Sequence, residues 1–407
     1  MKEEMRNVGG SFFRVYKQFK NWKIDINNKF NHRVTGLDKI KFDGNVNIKG
    51  SNFAIGTLAN CSGQVTPWKS ILTCEENYDM FYGERNLDDD TIFHNSYYLG
   101  WRKYFPFPPE HYGWVVEVNP FSKKKRKLVS LGRCAHECAT IKVLDDKRVV
   151  VYTGDDIDNG CLYKFVSKSP GDLTKGTLYV ASLDQRKWIE VKLSSHKSLQ
   201  KKFSTQIEVL TYLRESSKLL NGTELDRPED IEIDPLNNNV IIALTNNYTK
   251  NNLHGSILKI IEKDGKHDSL EFEYETLVSG GEETGFSCPD NLVFDQVGNL
   301  WFTSDISGSK INNADYQKFQ NNGLFVLIRH GKQAGEIIQI ASAPIDAEFT
   351  GPCFSSDGKT LFLSVQHPGE TSKTKLNLTS SWPKGKNGPK PSVITIQGKL
   401  INELINL

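Results

Sequence analysis

One unit recurs along this chain: an acidic residue, an alternating apolar strand, a turn of Asp, Asn or Gly, and a second strand closing on Asp, Asn or Gln. The copies start at His136-Glu137, Arg227-Pro228-Glu229, Pro289-Asp290 and Glu348. Their turns are Asp145-Asp146, Asn237-Asn238-Asn239, Val297-Gly298-Asn299 and Asp357-Gly358. Such turns carry the side chains a tight hairpin requires. Glycine-led apolar segments follow as outer strands at 113–118, 160–165, 176–180, 255–260 and 323–327. Repeats of strands with almost no helix predict an all-β chain of β-propeller architecture, with helical and loop insertions. One helix interrupts the pattern. Thr205 and Glu208 form a capping box, Ile207, Leu210 and Leu213 an apolar stripe, and Gly222 is placed as the C′ residue.

The innermost strands of a propeller all start at one mouth of its channel, so an acid at each start builds a ring of carboxylates. Such a ring repels itself unless cations neutralise it. A register slip of one residue would instead turn an acid into the blade or to solvent. Leu72-Thr-Cys74-Glu75-Glu76-Asn77 adds a thiol, two carboxylates and an amide at the end of a strand expected over 69–73. A soft thiolate beside hard carboxylates suits a mixed or transition-metal centre better than calcium alone. The competing reading is a buried structural cysteine beside a solvated acidic turn. Pro228 biases Arg227 toward extended geometry, which puts Arg227 and Glu229 on one face. An arginine there is as readily a structural ion-pair partner as a fork for phosphate or carboxylate. His136 is equally balanced between an acid/base role and that of a satisfied strand histidine, and His367 has the same status.

Across 407 residues the formal charge is +2, which argues against nucleic acid as a partner. The basic run Lys123–Lys127 reads as a solvated hairpin tip. No stretch reaches the roughly 18 apolar residues of a membrane span. The first residues show no apolar signal region and no adjacent arginines, which leaves the cytoplasm open as a location. Seven cysteines, an odd number, point to a reduced set with one metal-binding thiolate. Residues 1–45 are expected to form an N-terminal extension and 46–407 a single propeller domain.

The motifs together resemble the PhoX family of alkaline phosphatases. They are Gly56-Thr-Leu-Ala-Asn-Cys61-Ser-Gly, Thr66-Pro-Trp68, Thr73-Cys-Glu-Glu-Asn77, Gly113-Trp-Val-Val-Glu-Val118, His136-Glu137, Gly154-Asp-Asp156, Asp226-Arg-Pro-Glu229, Thr350-Gly-Pro352 and Gln366-His-Pro-Gly-Glu370. The resemblance implies a six-bladed propeller holding ferric iron and calcium in its channel. It implies Cys74 as an iron ligand and Glu75, Glu76, Glu137, Asp155, Glu229, Asp290 and Glu348 as members of the metal site, with Arg227 contacting the phosphoryl group. It further implies a periplasmic or secreted enzyme. Departures from the family pattern stand at Cys134, Ala135, Cys138, Asp230 and Asn291.

The reading is therefore a metal-dependent phosphomonoesterase acting on small phosphate esters, a monomer with no membrane span, with His136 as the acid/base candidate beside Arg227. No Gly-x-Ser-x-Gly elbow supports a serine hydrolase. Two rivals remain: a calcium-dependent lactonase or esterase propeller, and a non-catalytic propeller braced by calcium.

Overall fold

The computed structural model describes residues 2–95, 98–384, 388–399, 401 and 403. The chain divides into two compact units, residues 1–224 with 266–271, and residues 225–265 with 272–407.

In the first unit, one sheet runs in the order Phe53–Ile55, Lys39–Phe42, Lys125–Leu128, Val115–Val118, Ile71–Glu75, Asn60–Cys61. Every neighbouring pair is antiparallel except Lys39–Phe42 with Lys125–Leu128. Val115–Val118 is buried on both faces, as a central strand of β-branched residues should be. A second sheet follows chain order through Thr140–Val143, Val149–Gly154, Leu162–Ser167, Gly176–Ser182 and Lys187–Glu190. Trp114, Val151, Phe165 and Leu178 meet in the core that serves both sheets, together with Leu213 of the helical insertion.

That insertion holds the expected capping box: Thr205 accepts from the Glu208 N–H, and the Glu208 carboxylate accepts from the Thr205 N–H. The single helix expected there is two, Gln206–Thr211 and Leu213–Leu219, because Tyr212 takes φ −109° and ψ 54° between them. Gly222 closes the second, its N–H reaching the Ser217 carbonyl at 2.9 Å. The basic run is also more than a solvated tip. Lys123 and Lys124 are exposed, but Lys127 is fully buried in its strand.

Among the described residues, the second unit holds three sheets of three or four strands. Pro228–Ile233 leads Val240–Leu244, Ser256–Glu262 and Phe272–Ser279; Pro289–Phe294 leads Leu300–Ser304, Gly323–Leu327 and Ile337–Ser342; Glu348–Phe354 leads Leu361–Gln366 and Ser392–Ile396. All are antiparallel and joined by the turns read from the repeats. The leading strand of each carries a β-bulge near its start. Among the described residues the five sheets of three or more strands, with only short helices, make this an all-β propeller fold. Among the described residues no helix is long and apolar enough to cross a membrane.

Candidate metal centre and active site

Asn60–Cys61 is a two-residue strand that sets Cys61 opposite Cys74. Gly63 permits the close approach: a Cβ there would lie 2.0 Å from the Leu72 carbonyl oxygen. Beyond the strand, the Glu76 N–H donates to the Ala59 carbonyl at 2.9 Å, turning Glu76 back toward Cys61. Glu137 enters at the start of the second sheet, and the Cys61 thiol donates to its Oε1 at 2.8 Å. Ligand atoms of Cys61, Glu76 and Glu137 thus lie within 4.8 Å of one another. Glu137 is buried and the other two are half-buried. Asn77 Nδ2 donates to Glu76 and holds it. A thiol and two carboxylates gathered so tightly are a fit for a cation that is both Lewis-acidic and tolerant of sulfur.

The second unit places acids by a repeated device. Arg227 precedes Pro228 and takes φ 54°; Cys288 precedes Pro289 and takes φ 53°. Each left-handed residue is followed by Pro, then an acid, then a β-bulge. The residue after each acid ties its sheet to the next. Asp230 Oδ2 accepts from the Leu292 N–H at 2.9 Å, and Asn291 Oδ1 accepts from the Gly351 N–H at 2.6 Å. Glu229 and Asp290 are held in register by these links, with carboxylate oxygens within 4.8 Å of each other. The extended geometry expected at Arg227 does not occur. Its guanidinium still reaches Glu229, Nη2 to Oε1 at 2.7 Å, and its side chain stays 24% exposed. Positive φ at a non-glycine residue costs roughly 1–2 kcal/mol and persists only where the surroundings impose it.

Other expected site residues have different partners. Cys74 is fully buried in the apolar core of the first unit, directly opposite Cys61 in the strand register. Glu75 is fully buried too. Lys127 Nζ reaches its two oxygens at 2.6 and 2.8 Å, and the Gly113 and Trp114 N–H groups donate to Oε2. Burial pushes the Lys127 pKa down, and the Glu75 carboxylate opposes that shift. Asp155 is taken by Arg214, at 2.8 and 2.7 Å, and by the Ala135 N–H. Both acids are held in ion pairs here, Glu75 with Lys127 and Asp155 with Arg214.

His136 is fully buried, with Nδ1 on Thr153 Oγ1 at 2.7 Å and Nε2 on the Gly132 carbonyl at 2.9 Å. Burial lowers its pKa to about 4. Both ring nitrogens are committed, so the acid/base role gives way to that of a satisfied strand histidine. Glu348 is buried and accepts from His367 Nε2 at 2.9 Å, on a half-exposed imidazole.

The alkaline phosphatase PhoX family matches residues 1–369. The chain belongs to the PhoX alkaline phosphatase family. It is a metal-dependent phosphatase that hydrolyses phosphoric monoesters. Among solved structures it is similar to Pseudomonas fluorescens PhoX in complex with vanadate, a transition state analogue, with TM-score 0.81 and 28% identity over 96% of this chain and 80% of that one. The Pseudomonas aeruginosa periplasmic gluconolactonase PpgL matches at TM-score 0.36 and 11% identity, over 82% of this chain and 71% of that one, and carries no weight on the fold. A comparison with curated proteins gave no match. Within the PhoX family the phosphatase reading stands, and neither the lactonase nor the scaffold reading is favoured.

Sequence reasoning singled out Cys74, whereas the thiol that the structure gathers with two carboxylates is Cys61, its partner across the strand pair. The signal lay in the glycine of Asn60-Cys61-Ser62-Gly63, which marks a close backbone approach of the Cys61 segment.

Proposed function

We propose that Cys61, Glu76 and Glu137 hold ferric iron in the first unit, and that Glu229 and Asp290 hold calcium in the second. The observation that carries this is the convergence of the Cys61 thiol with two carboxylates within 4.8 Å. The mixed soft and hard donor set suits iron, and the all-oxygen pair suits calcium. When bound, the cations supply Lewis-acid neutralisation of charge on the phosphoryl group.

Arg227 binds the phosphoryl group of a small phosphate ester. Its anchoring to Glu229 fixes one edge of the guanidinium, and the rest donates to equatorial phosphoryl oxygens as charge grows on them. The strained backbone and the bulge after Pro228 hold that fork with little reorganisation. His136 takes no part in proton transfer. His367, joined to Glu348, is the histidine available to carry a proton, and Glu348 orients its ring.

The family resemblance supports a six-bladed count, a periplasmic or secreted location and a monomer; the expected boundary at 45/46 does not fit the fold, because Lys39–Phe42 is an internal strand of the first sheet. Iron and calcium analysis of purified protein, alongside hydrolysis of p-nitrophenyl phosphate with and without chelator, tests the reading. It requires both metals and loss of activity on chelation. Active protein free of iron would overturn it.

A further inference from the structure

The N-terminal hairpin bears residues that phosphate hydrolysis does not use. Val15–Gln18 pairs with Asn21–Ile24 in the register Val15↔Ile24, Tyr16↔Lys23, Lys17↔Trp22 and Gln18↔Asn21, as a separate two-stranded sheet. Directly opposed residues share a face, so Val15, Lys17, Trp22 and Ile24 form one side and Tyr16 and Lys23 stand on the other. Only Trp22 among the strand residues is half-buried; the rest are exposed. Phe19 sits in the turn at φ 56° and is 92% exposed, and Ile26 just beyond is 80% exposed. An isolated two-stranded hairpin with both faces in water is marginally stable. Apolar and aromatic side chains held out together on one mark an interaction surface.

Charge selects the partner. Within residues 14–29 the sequence carries Arg14, Lys17, Lys20, Lys23 and Lys29 and one acid, Asp25, which Arg14 pairs at 3.0 Å, while Lys17 Nζ lies 5.6 Å from the Trp22 ring centre. The surface continues beyond the hairpin, because Phe30 meets Phe121 edge-on at 5.2 Å, and exposed Lys123 and Lys124 follow Phe121 closely in the chain. A protein partner's groove would favour an apolar centre depleted of charge. Here each apolar residue of the hairpin has a lysine within two positions in the chain. Rings that enter a headgroup layer while flanking ammonium groups stay at the lipid phosphates fit that interleaving.

We propose that this hairpin docks the enzyme peripherally on an anionic phospholipid bilayer, with Phe19 entering the headgroup region. Flotation of the full chain with phosphatidylcholine vesicles, with and without phosphatidylglycerol, tests it. Binding is expected only with phosphatidylglycerol and should fall as salt is raised. Replacing Lys17, Lys20 and Lys23 by Gln should weaken it by about fivefold per lysine, and Phe19→Ser should weaken it without altering the salt dependence. Hydrolysis of a soluble phosphate ester should be unchanged in both variants. Absence of flotation at low salt, or flotation undiminished in the variants, would overturn the proposal. So would a dimer in sedimentation that Phe19→Ser dissociates, which would assign the surface to a second copy of the chain.

Discussion

Arg227 and His136 are the residues whose roles the structure separates most sharply. Arg227 is anchored to Glu229 with its side chain 24% exposed, and losing one preorganised stabiliser of transition-state charge costs about 3 kcal/mol. Arg227→Ala should therefore lower kcat/KM for a phosphomonoester about 100-fold with metal content unchanged, and Arg227→Lys should lower it less. Near-normal activity in Arg227→Ala would make the arginine structural. His136 makes the opposite prediction. Its pKa is about 4 in the fold, against 6.5 for the ordinary group. Between those values the unfolded chain binds the extra proton, so stability falls as pH drops from 6.5 toward 4. The contribution lost is on the order of 3 kcal/mol. Unfolding free energies of wild type and His136→Gln across that window should diverge in slope, while the pH profile of kcat keeps its shape. Parallel stability curves would contradict the neutral, committed imidazole.

The repeated elements were readable because each pairs an alternating strand with turn residues that leave few alternatives, as at Ile231–Leu244 and Leu292–Phe302. The first sheet was not. It joins Lys39–Phe42 in parallel to Lys125–Leu128, a pairing across more than eighty intervening residues that no local pattern encodes. The two-residue strand Asn60–Cys61 is too short to show any periodicity, so the convergence of Cys61 with Glu76 and Glu137 was not legible in the sequence. The buried Glu75–Lys127 pair was hidden for the same reason, since its partners meet only across that sheet. Removing one member of a buried pair costs about 3–5 kcal/mol. Lys127→Met should therefore lower the melting temperature sharply, and adding Glu75→Gln should recover part of the loss with metal content intact. Loss of metal in Glu75→Gln would return Glu75 to the site. Gly63→Ala belongs to the same scale: its Cβ would strike the Leu72 carbonyl, push the Cys61 segment outward and reduce iron content more than overall stability.

At the scale of the whole molecule, the bound cations are expected to act on stability as well as chemistry. Acids held within 4.8 Å of one another in each unit repel once the ions leave. Chelation should lower the melting temperature, and Glu137→Gln should shrink that effect. Identical melting curves after confirmed metal removal would deny the ions a structural role. The sequence pattern foresaw an acidic, metal-dependent propeller; it did not separate the acids that converge from Asp155 and Glu75, which arginine and lysine neutralise. The most direct test of the account is the iron content of two single variants purified side by side. Cys61→Ser should lose its iron and, with it, phosphatase activity, while Cys74→Ser keeps the iron and is only destabilised by a hydroxyl in an apolar core. Iron retained in Cys61→Ser and lost in Cys74→Ser would contradict the metal centre described here.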